Sequence, residues 1–349
     1  MGLWWASLLM AAIALTWMSG LVLARIFRAR SDARREVDVV RVRAACLDIV
    51  QGSGEATSRL RPFQRRARLM SETLLEFFAI VRGAEQDALV SAYKSLNIDD
   101  RMRARLSRGS KPGRMAAAEA IAAFPGPETI LALKQLIRHR DAEIRITAVK
   151  SLIDLDAAPV LRDLLSDMNT QGVSESLLYL PVVQRMTKLD PDEALALFAD
   201  TTVAAAARAL VADALGQSGD YRAVMPLCQA ATDPDRTLRI AAVRGLGILA
   251  HPAASDAIIL AFEDPEWEVR SAACEAACRI DLAAALPSLA MRLTDPVWWV
   301  RFQAAEAMTG MGKKGIASLR VAARAGVDVV RRAASMALAE KGLTEDASA

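Results

Sequence analysis

Apolar and polar positions recur along most of this chain with a spacing of about 31 residues. The steps of this repeat fall at Arg114, Arg145, Ser176, Arg208, Arg239, Arg270, Arg301 and Arg331. Apolar residues stand three and seven positions after each step, and these offsets lie on one face of a helix. Most residues five positions after a step are charged, which places them on the solvent side. The pattern therefore predicts eight amphipathic helices.

The stripe positions are small or aliphatic in almost every repeat. Three positions after the step stand Ala117, Ala148, Tyr179, Val211, Ala242, Ala273, Ala304 and Ala334. Seven positions after it stand Ile121, Leu152, Val183, Leu215, Leu246, Ala277, Met308 and Leu338. A shorter helix follows each striped helix. One such pair cannot bury its apolar face alone, so the pairs are expected to stack into a solenoid.

Three repeats carry an Asp-Pro pair six residues before the step, at Asp233, Asp264 and Asp295. An aspartate followed by proline is typical of a helix start, with the carboxylate as the N-cap. The Ser176 repeat departs from the pattern because it lacks the arginine and carries Pro181 within its striped helix, which predicts a kink or altered stacking there.

The segments DPEWEVRSAA and DPVWWVRFQAA carry the motif Asp-Pro-x-x-x-Val-Arg-x-Ala-Ala. This motif resembles the HEAT-repeat family, in particular the bacterial form first noticed in phycobilin lyases. The resemblance covers about residues 105–342 and implies an all-α fold, a right-handed α-α solenoid or HEAT-like superhelix. It also implies a ladder between repeats, formed by Arg239, Arg270 and Arg301 with Asp233, Asp264 and Asp295.

The first 25 residues are expected to form a transmembrane helix. Residues 3–24 carry no charge and would span about 33 Å as a helix, enough to cross a bilayer. A cleaved signal peptide is the alternative, but it needs a basic start and a shorter apolar core.

Arg25, Arg28, Arg30, Arg34 and Arg35 follow the span, so the repeats are expected in the cytoplasm and the N-terminus outside. The four cysteines fit a reducing compartment. The predicted location is the bacterial inner membrane.

The predicted span has a stripe of small residues four apart: Ala12, Thr16, Gly20 and Ala24. Such a stripe lets two membrane helices approach closely, although chance in an alanine-rich chain also explains it. Beyond the span, Ala33, Val37, Val40, Ala44 and Leu47 keep a heptad rhythm. This favours a helix packed on the first solenoid turn, with a short coiled coil as the alternative.

The remaining boundaries follow from composition. Residues 26–62 are expected to be a basic juxtamembrane helix and loop, 63–104 a divergent helical cap, and 343–349 a disordered tail. Residues 25–114 hold 20 Lys/Arg against 11 Asp/Glu, whereas residues 115–349 hold 24 against 30. The basic part would be attracted to anionic lipid. Nucleic-acid binding through residues 59–114 is an alternative, but the acidic repeats argue against a phosphate-binding groove.

The sequence gives little indication of catalysis. It has two histidines, His139 and His251, and no glycine-rich phosphate loop, GxSxG or H-E-x-x-H motif. Cys274 and Cys278 lie one turn apart at positions that other repeats fill with small residues. Small core residues are therefore favoured over a two-cysteine metal site, which would need further ligands. We expect no enzyme, no metal and no cofactor.

Aromatic residues cluster near the last repeats, at Trp267, Trp298, Trp299 and Phe302. With the core stripe set on Val300, Ala304 and Met308, Trp298 and Phe302 point away from it and Trp299 points to one side. Either these rings pack under the neighbouring helix pair or they anchor a partner, as exposed aromatic clusters often do.

The leading hypothesis is a membrane-anchored cytoplasmic scaffold that binds a protein client, within an envelope or exopolysaccharide-export complex, and that forms a homo-oligomer through its membrane helix. A lyase-like or other accessory enzyme that uses the solenoid groove is the alternative. A pocket with convergent polar groups would distinguish the enzyme from the scaffold.

Overall fold

A computed structural model describes residues 35–53, 55–166, 176–324 and 326–343, together with residues 10, 16–18 and 25. The side chains of residues 166, 176 and 177 are excepted. Over these residues the fold is helical and contains no strand. The chain divides into two compact units that meet in sequence at Ala157 and Ala158. This division falls inside the predicted array of repeats.

The first unit is a stack of short helices. They are α1 (35–50), α2 (Ala56–Leu60), α3 (Ala67–Phe78), α4 (Ala84–Ser95), α5 (Ile98–Arg108), α6 (Lys111–Ile121), α7 (Pro127–Leu136) and α8 (Ala142–Asp154). Helix α6 packs against α3, α5 and α8, and α7 packs beside α8. The end of segment 26–62, expected to be a loop, contains α2, and α5 lies within the basic segment 59–114. Both segments are therefore more ordered than their polar composition indicated.

Tyr93 and Phe124 lie at the centre of this unit, fully buried and stacked with ring centroids 6.5 Å apart. Helix α1 packs into the same core through Val42, Cys46 and Ile49. Cys46 contacts Tyr93 of α4 and Arg43 binds Glu76 of α3, so the printed contacts of α1 are with the predicted cap, and they use a face other than the heptad one. Val37, Val40 and Leu47 remain exposed. Ile80 is 82% exposed because it lies beyond the end of α3 at Phe78.

The second unit contains two layers of helices. One layer comprises α10 (Ser176–Leu189), α12 (Ala205–Ser218), α14 (Arg236–Leu249), α16 (Trp267–Ile280), α18 (Trp298–Gly310) and α20 (Asp328–Glu340). The other comprises α9 (Leu161–Ser166), α11 (Pro191–Ala199), α13 (Val224–Ala230), α15 (Ser255–Ala261), α17 (Leu286–Arg292) and α19 (Gly312–Ala323). Successive helices of the first layer pack against each other in chain order. The odd-numbered helices from α11 to α19 pack beside them. Each unit is thus a solenoid-like stack. Helix α10 continues through Pro181.

The predicted apolar stripe is confirmed. Residues three and seven positions after every repeat step are buried, the most exposed being Leu338 at 5%. The charged positions between them are exposed or half-buried, with one exception. Asp213 is buried, because Arg244 on the next helix donates Nη2 to both carboxylate oxygens at 2.8 and 2.6 Å. On the solvent face of α12, the ion pair with Arg244 of α14 therefore shields Asp213 from water.

Glycines bring neighbouring helices of the first layer into backbone contact. A Cβ atom on Gly216 would lie 2.4 Å from the Cα of Gly245, and one on Gly247 would lie 2.7 Å from the Cα of Ala276. Helices can approach this closely only where at least one of them has a glycine at the contact. Gly216 and Gly245 thus set the spacing of α12 and α14, and Gly247 sets that of α14 and α16.

Each rung of the arginine–aspartate ladder joins residues 25 positions apart. Arg239 donates Nε and Nη2 to Asp264 at 2.7 and 3.1 Å, and Arg270 does the same to Asp295 at 2.7 and 2.9 Å. A looser rung joins Arg208 Nη1 to Asp233 at 3.4 Å. Only 9% of the Arg270 side chain and 1% of that of Asp295 are exposed.

The same aspartates organise the turn that precedes each helix. Asp264 accepts the Glu266 amide at 2.9 Å, and Asp295 accepts the Val297 amide at 2.9 Å. The helices begin two residues after the prolines, at Arg236, Trp267 and Trp298. The prediction that these aspartates are N-caps is therefore wrong. Each carboxylate accepts a backbone amide of its own turn and also binds an arginine of the preceding repeat.

We expect Asp295→Asn to lower the free energy of unfolding by about 3 kcal/mol at neutral pH, because it leaves the buried Arg270 without a counter-charge. Burial favours the neutral carboxyl form, but hydrogen bonds from Arg270 and the Val297 amide outweigh it, so the pKa of Asp295 lies below its ordinary value of 3.8. The ionised pair therefore stabilises fully above that value and loses its effect as the pH falls through the lowered pKa.

Thermal melting of both proteins at about pH 7 and about pH 3 measures this effect. The difference between them should shrink at the lower pH. Asp256→Asn is the control, since Asp256 is exposed on α15 and should change stability by less than about 0.5 kcal/mol. An equal loss at both pH values would contradict a role for the charge.

Gly216→Ala should destabilise the second unit by about 2 kcal/mol, because the new methyl group meets the backbone of α14 and the helices must separate. Gly126→Ala is the matched control, since its Cβ would meet nothing within 4 Å. Chemical denaturation of both variants tests the difference. If Gly216→Ala is as stable as the wild-type protein, the close approach of α12 and α14 is not a constraint.

Candidate functional site

Three aromatic rings meet at the start of α18 and form the aromatic cluster: Trp298, Trp299 and Phe302. Helix α18 begins at Trp298, so the two tryptophans occupy its first turn. The ring centroids of Trp298 and Trp299 lie 5.7 Å apart, and Phe302 stacks on Trp298 at 5.5 Å and on Trp299 at 5.4 Å. Such offset contacts stabilise aromatic groups beyond their buried area.

Both tryptophans face solvent. Trp298 is 53% exposed and Trp299 is 41% exposed, whereas Val300, Ala304 and Met308 of the same helix are buried. Among the residues that the structure describes, no neighbouring helix pair covers the two indole rings. A helix start built from two exposed tryptophans presents far more apolar surface than local stability requires.

A groove of about 390 Å³ opens beside the cluster, between α18 and α20, and is called the terminal groove. Trp298, Phe302 and Ala305 line one side of it. Val329, Ala333, Met336 and Ala337 line the other, with Arg301, Arg332 and Glu340 as its charged residues. Met336 is 56% exposed. The apolar surface of the cluster thus continues onto α20.

The sequence predictions missed the α20 side of this groove. Val329, Ala333 and Met336 recur at helical spacing on the face opposite the buried Val330, Ala334 and Leu338. That second stripe was the available signal. It is short and rich in alanine, so it does not differ from ordinary surface composition without the neighbouring tryptophans.

Trp267, the fourth predicted partner-binding residue, lies apart from the cluster. It is the first residue of α16 and is 38% exposed. Among the described residues, it makes no ring contact with Trp298, Trp299 or Phe302. The equivalent residue of α14, Arg236, faces Glu266 and Glu268 at 3.5 and 3.3 Å.

Arg301 occupies the ladder position of α18 and lines the terminal groove. Its Nη1 donates to the carbonyls of Asp295 and Pro296 at 2.7 and 3.1 Å. Gly326 stands 25 residues further on, where the preceding rungs have an aspartate. The ladder therefore ends at this arginine.

A second groove, of about 250 Å³, lies on the same layer over α12, α14 and α16. Its charged side chains are paired with one another. Arg244 binds Asp213, and Arg279 donates to Glu275 at 2.6 Å. Burial raises the pKa of Asp213 more than Arg244 lowers it. These groups neutralise each other and do not form a set of convergent catalytic groups.

The environments of the cysteine and histidine side chains show whether these groups are placed to react or to bind a metal. Burial raises the pKa of the Cys46 thiol to about 11 and that of the Cys274 thiol to about 12, which keeps both protonated at neutral pH. Cys278 also has a raised pKa, mainly from burial. His139 contacts Arg114 at 2.7 Å, and the ring of His251 lies 5.1 Å from that of Tyr221. In the described parts of the chain, no three His, Cys, Asp or Glu residues are grouped for metal binding.

Five of the thirteen basic residues of segment 59–114 pair with carboxylates among the described residues: Arg59, Arg66, Arg68, Arg103 and Lys111. Arg68 binds Glu72 at 2.8 Å, and Lys111 binds Glu143 at 2.8 Å and Asp141 at 3.0 Å. Paired cations have less charge to offer a phosphate backbone.

The predicted membrane segment is mostly outside the described residues, as are Ala12, Gly20, Ala24, Arg28, Arg30, Arg34 and the tail at 344–349. Thr16 and Arg25 are helical and exposed. Arg35 donates to Glu72 at 2.6 Å. Within the part of the chain that is described, no helix has both the length and the apolar character to cross a bilayer.

Solved structures with helical similarity include karyopherin Kap121p bound to the extreme C-terminus of the protein phosphatase Cdc14p. It is 12% identical, with a TM-score of 0.40, and the match covers 87% of this chain and 44% of that one. Human deoxyhypusine hydroxylase in complex with glycerol is 17% identical over 80% of this chain and 98% of that one, with a TM-score of 0.31. An engineered protein is 17% identical over 87% and 95%, with a TM-score of 0.34.

The chain thus spans less than half the length of the karyopherin. No curated protein matches its sequence. A family model described as HEAT repeats matches residues 100–179, 193–262 and 255–339. These segments cover well over half of the sequence and include all eight repeat steps, so the chain belongs to the HEAT-repeat family.

Proposed function

We propose that this protein is a scaffold that binds a protein client through the aromatic cluster and the terminal groove. The observation that carries the proposal is the pair of exposed tryptophans, at 53% and 41%, beside an apolar groove of about 390 Å³. Exposed apolar patches of this kind mark interaction surfaces, and tryptophan and arginine are enriched among residues that dominate binding energy.

The shape of the groove fits an apolar anchor of the client. Trp298 and Phe302 form one wall, Val329 and Met336 form the other, and methionine adapts its shape to different apolar partners. The anchoring rings are already stacked on one another, so little side-chain freedom is lost when a client binds.

We also propose that the scaffold is held at the bacterial inner membrane, with its repeats in the cytoplasm. The uncharged stretch at residues 3–24 and the arginines that follow it support this location. Trp17 and Met18, which are 73% and 60% exposed, offer apolar surface that a bilayer would cover. The small-residue stripe supports a homo-oligomer through the membrane helix. We place the client in an envelope or exopolysaccharide-export complex on the family resemblance alone.

Trp298→Ala should remove the client while leaving the fold intact, because the ring is exposed and the Ala304 stripe below it is unchanged. The measurement is affinity purification from detergent-solubilised membranes, with bound proteins identified by mass spectrometry and the melting temperature recorded in parallel. Leu260→Ala is the control, since Leu260 is 58% exposed on α15, in the other layer, and should retain the client. Normal capture of the same client by folded Trp298→Ala protein would refute the proposed surface.

A reporter that is active only outside the cytoplasm should be silent when it is fused after Ala349, because the arginine-rich flank is expected to stay inside. The same reporter placed before Met1 should be active. Strong activity of the C-terminal fusion would contradict the proposed topology.

A further inference from the structure

Each guanidinium group of the ladder arginines binds two sets of acceptors: Nη1 binds backbone carbonyls, and Nε and Nη2 bind a carboxylate. Nη1 of Arg270 donates to the carbonyls of Asp264 and Pro265, both at 2.9 Å, in the turn before its own helix. The Nε–Nη2 edge points along the stack and holds Asp295 of the next repeat. Arg239 divides its donors in the same way.

Arg301 makes the Nη1 contacts with the turn carbonyls, but within the described part of the chain it lacks the contact between Nε, Nη2 and a carboxylate. Its Nη1 atom holds the two turn carbonyls, which fixes the guanidinium in the ladder orientation. By its distance from the helix start, position 325 corresponds to Asp295, since α18 begins three residues after Asp295 and α20 begins at Asp328. Neither Ala325 nor Gly326, which stands 25 residues after Arg301, is acidic. Among the described residues, no carboxylate contacts the Nε–Nη2 edge of Arg301. The array therefore ends in a positioned donor pair that lacks its acceptor.

The residue that carries this donor pair lies at the proposed client surface. Arg301 lines the terminal groove together with Trp298, Phe302 and Met336. The other charged residues of the lining are Arg332 and Glu340, and Arg332 is itself paired with Asp328. A carboxylate on an apolar segment would thus meet both a guanidinium edge and an apolar wall.

We propose that Arg301 binds a carboxylate of the client, an Asp or Glu side chain flanked by apolar residues, and that this group completes the ladder from outside the chain. The proposal rests on the proposed function, whose partner chemistry it specifies. Two parallel N–H···O bonds to a charged acceptor give both strength and orientation. The rungs at Asp264 and Asp295 show that this guanidinium geometry accepts a carboxylate.

The test uses 3-phenylpropionate and its neutral amide as probes of the full-length protein in detergent, followed by tryptophan fluorescence. The acid should bind at least about tenfold more tightly than the amide. Arg301→Gln should abolish this preference. Equal affinity for the two probes, or no binding of either, would refute the proposal.

Arg301→Lys tests the same idea while it keeps the positive charge. Lysine lacks the planar pair of donors that a carboxylate accepts in parallel, so the preference for the acid should fall towards that of Arg301→Gln. The melting temperature, recorded in parallel, shows that both variants are folded. If Arg301→Lys and Arg301→Gln bind the acid as the wild-type protein does, the carboxylate site is not at Arg301.

Client capture separates this inference from the proposed function. If Trp298→Ala loses the client but Arg301→Gln retains it, the docking surface stands and the carboxylate role of Arg301 fails. If Trp298→Ala retains the client, the proposed function fails, and the probe titration still decides whether Arg301 binds carboxylates.

Discussion

The buried ion pair between Arg270 and Asp295 is the interaction on which the register of the second unit depends. A guanidinium and a carboxylate can be taken out of water together only if nearly every donor and acceptor finds a partner. Arg270 satisfies this condition by binding two carbonyls behind it and one carboxylate ahead of it. Because the partners belong to two successive repeats, a shift of one repeat against the next would leave a charge buried and unpaired.

The close packing of the layer restricts where function can lie. Gly216, Gly245 and Gly247 bring the backbones of α12, α14 and α16 together, and the residues nearest them are small or aliphatic: Ala212, Leu227 and Ala276. There is no room for a large ligand-binding side chain at these contacts. The tryptophans of α16 and α18 stand instead at helix starts.

The sequence predicts the helices and their buried stripe well, because a 3.6-residue period determines which side chains face a neighbour. It predicts turns and termini less well. The N-cap assignment of Asp264 and Asp295 failed because Asp-Pro fits both a helix start and the preceding turn, and only the contact with the ladder arginine distinguishes them. The burial of Asp213 depends on Arg244 of another repeat, and the terminal groove depends on the packing of two helices. Neither follows from local spacing.

The residue 25 positions after the step differs along the array. Three successive steps have an aspartate there, Asp233, Asp264 and Asp295, whereas the Arg145 and Ser176 steps have Thr170 and Thr201 and the Arg114 step has His139. The Nδ1 atom of His139 accepts the Asp141 amide at 3.0 Å, as an aspartate oxygen does in the other turns, and Nε2 meets Arg114. The imidazole reproduces the geometry of the turn without bringing a negative charge.

Neither Ala325 nor Gly326, just before α20 in the sequence, supplies a carboxylate. Among the described residues, Arg301 of α18 therefore combines the ladder position with an open edge, beside an exposed aromatic surface. A repeat in the middle of the array cannot offer its arginine to a ligand, since the next repeat already holds it. The last rung can. The arginine–aspartate ladder stabilises the stack. Where the ladder stops, it therefore leaves a preorganised cationic site beside the most apolar exposed surface of α18.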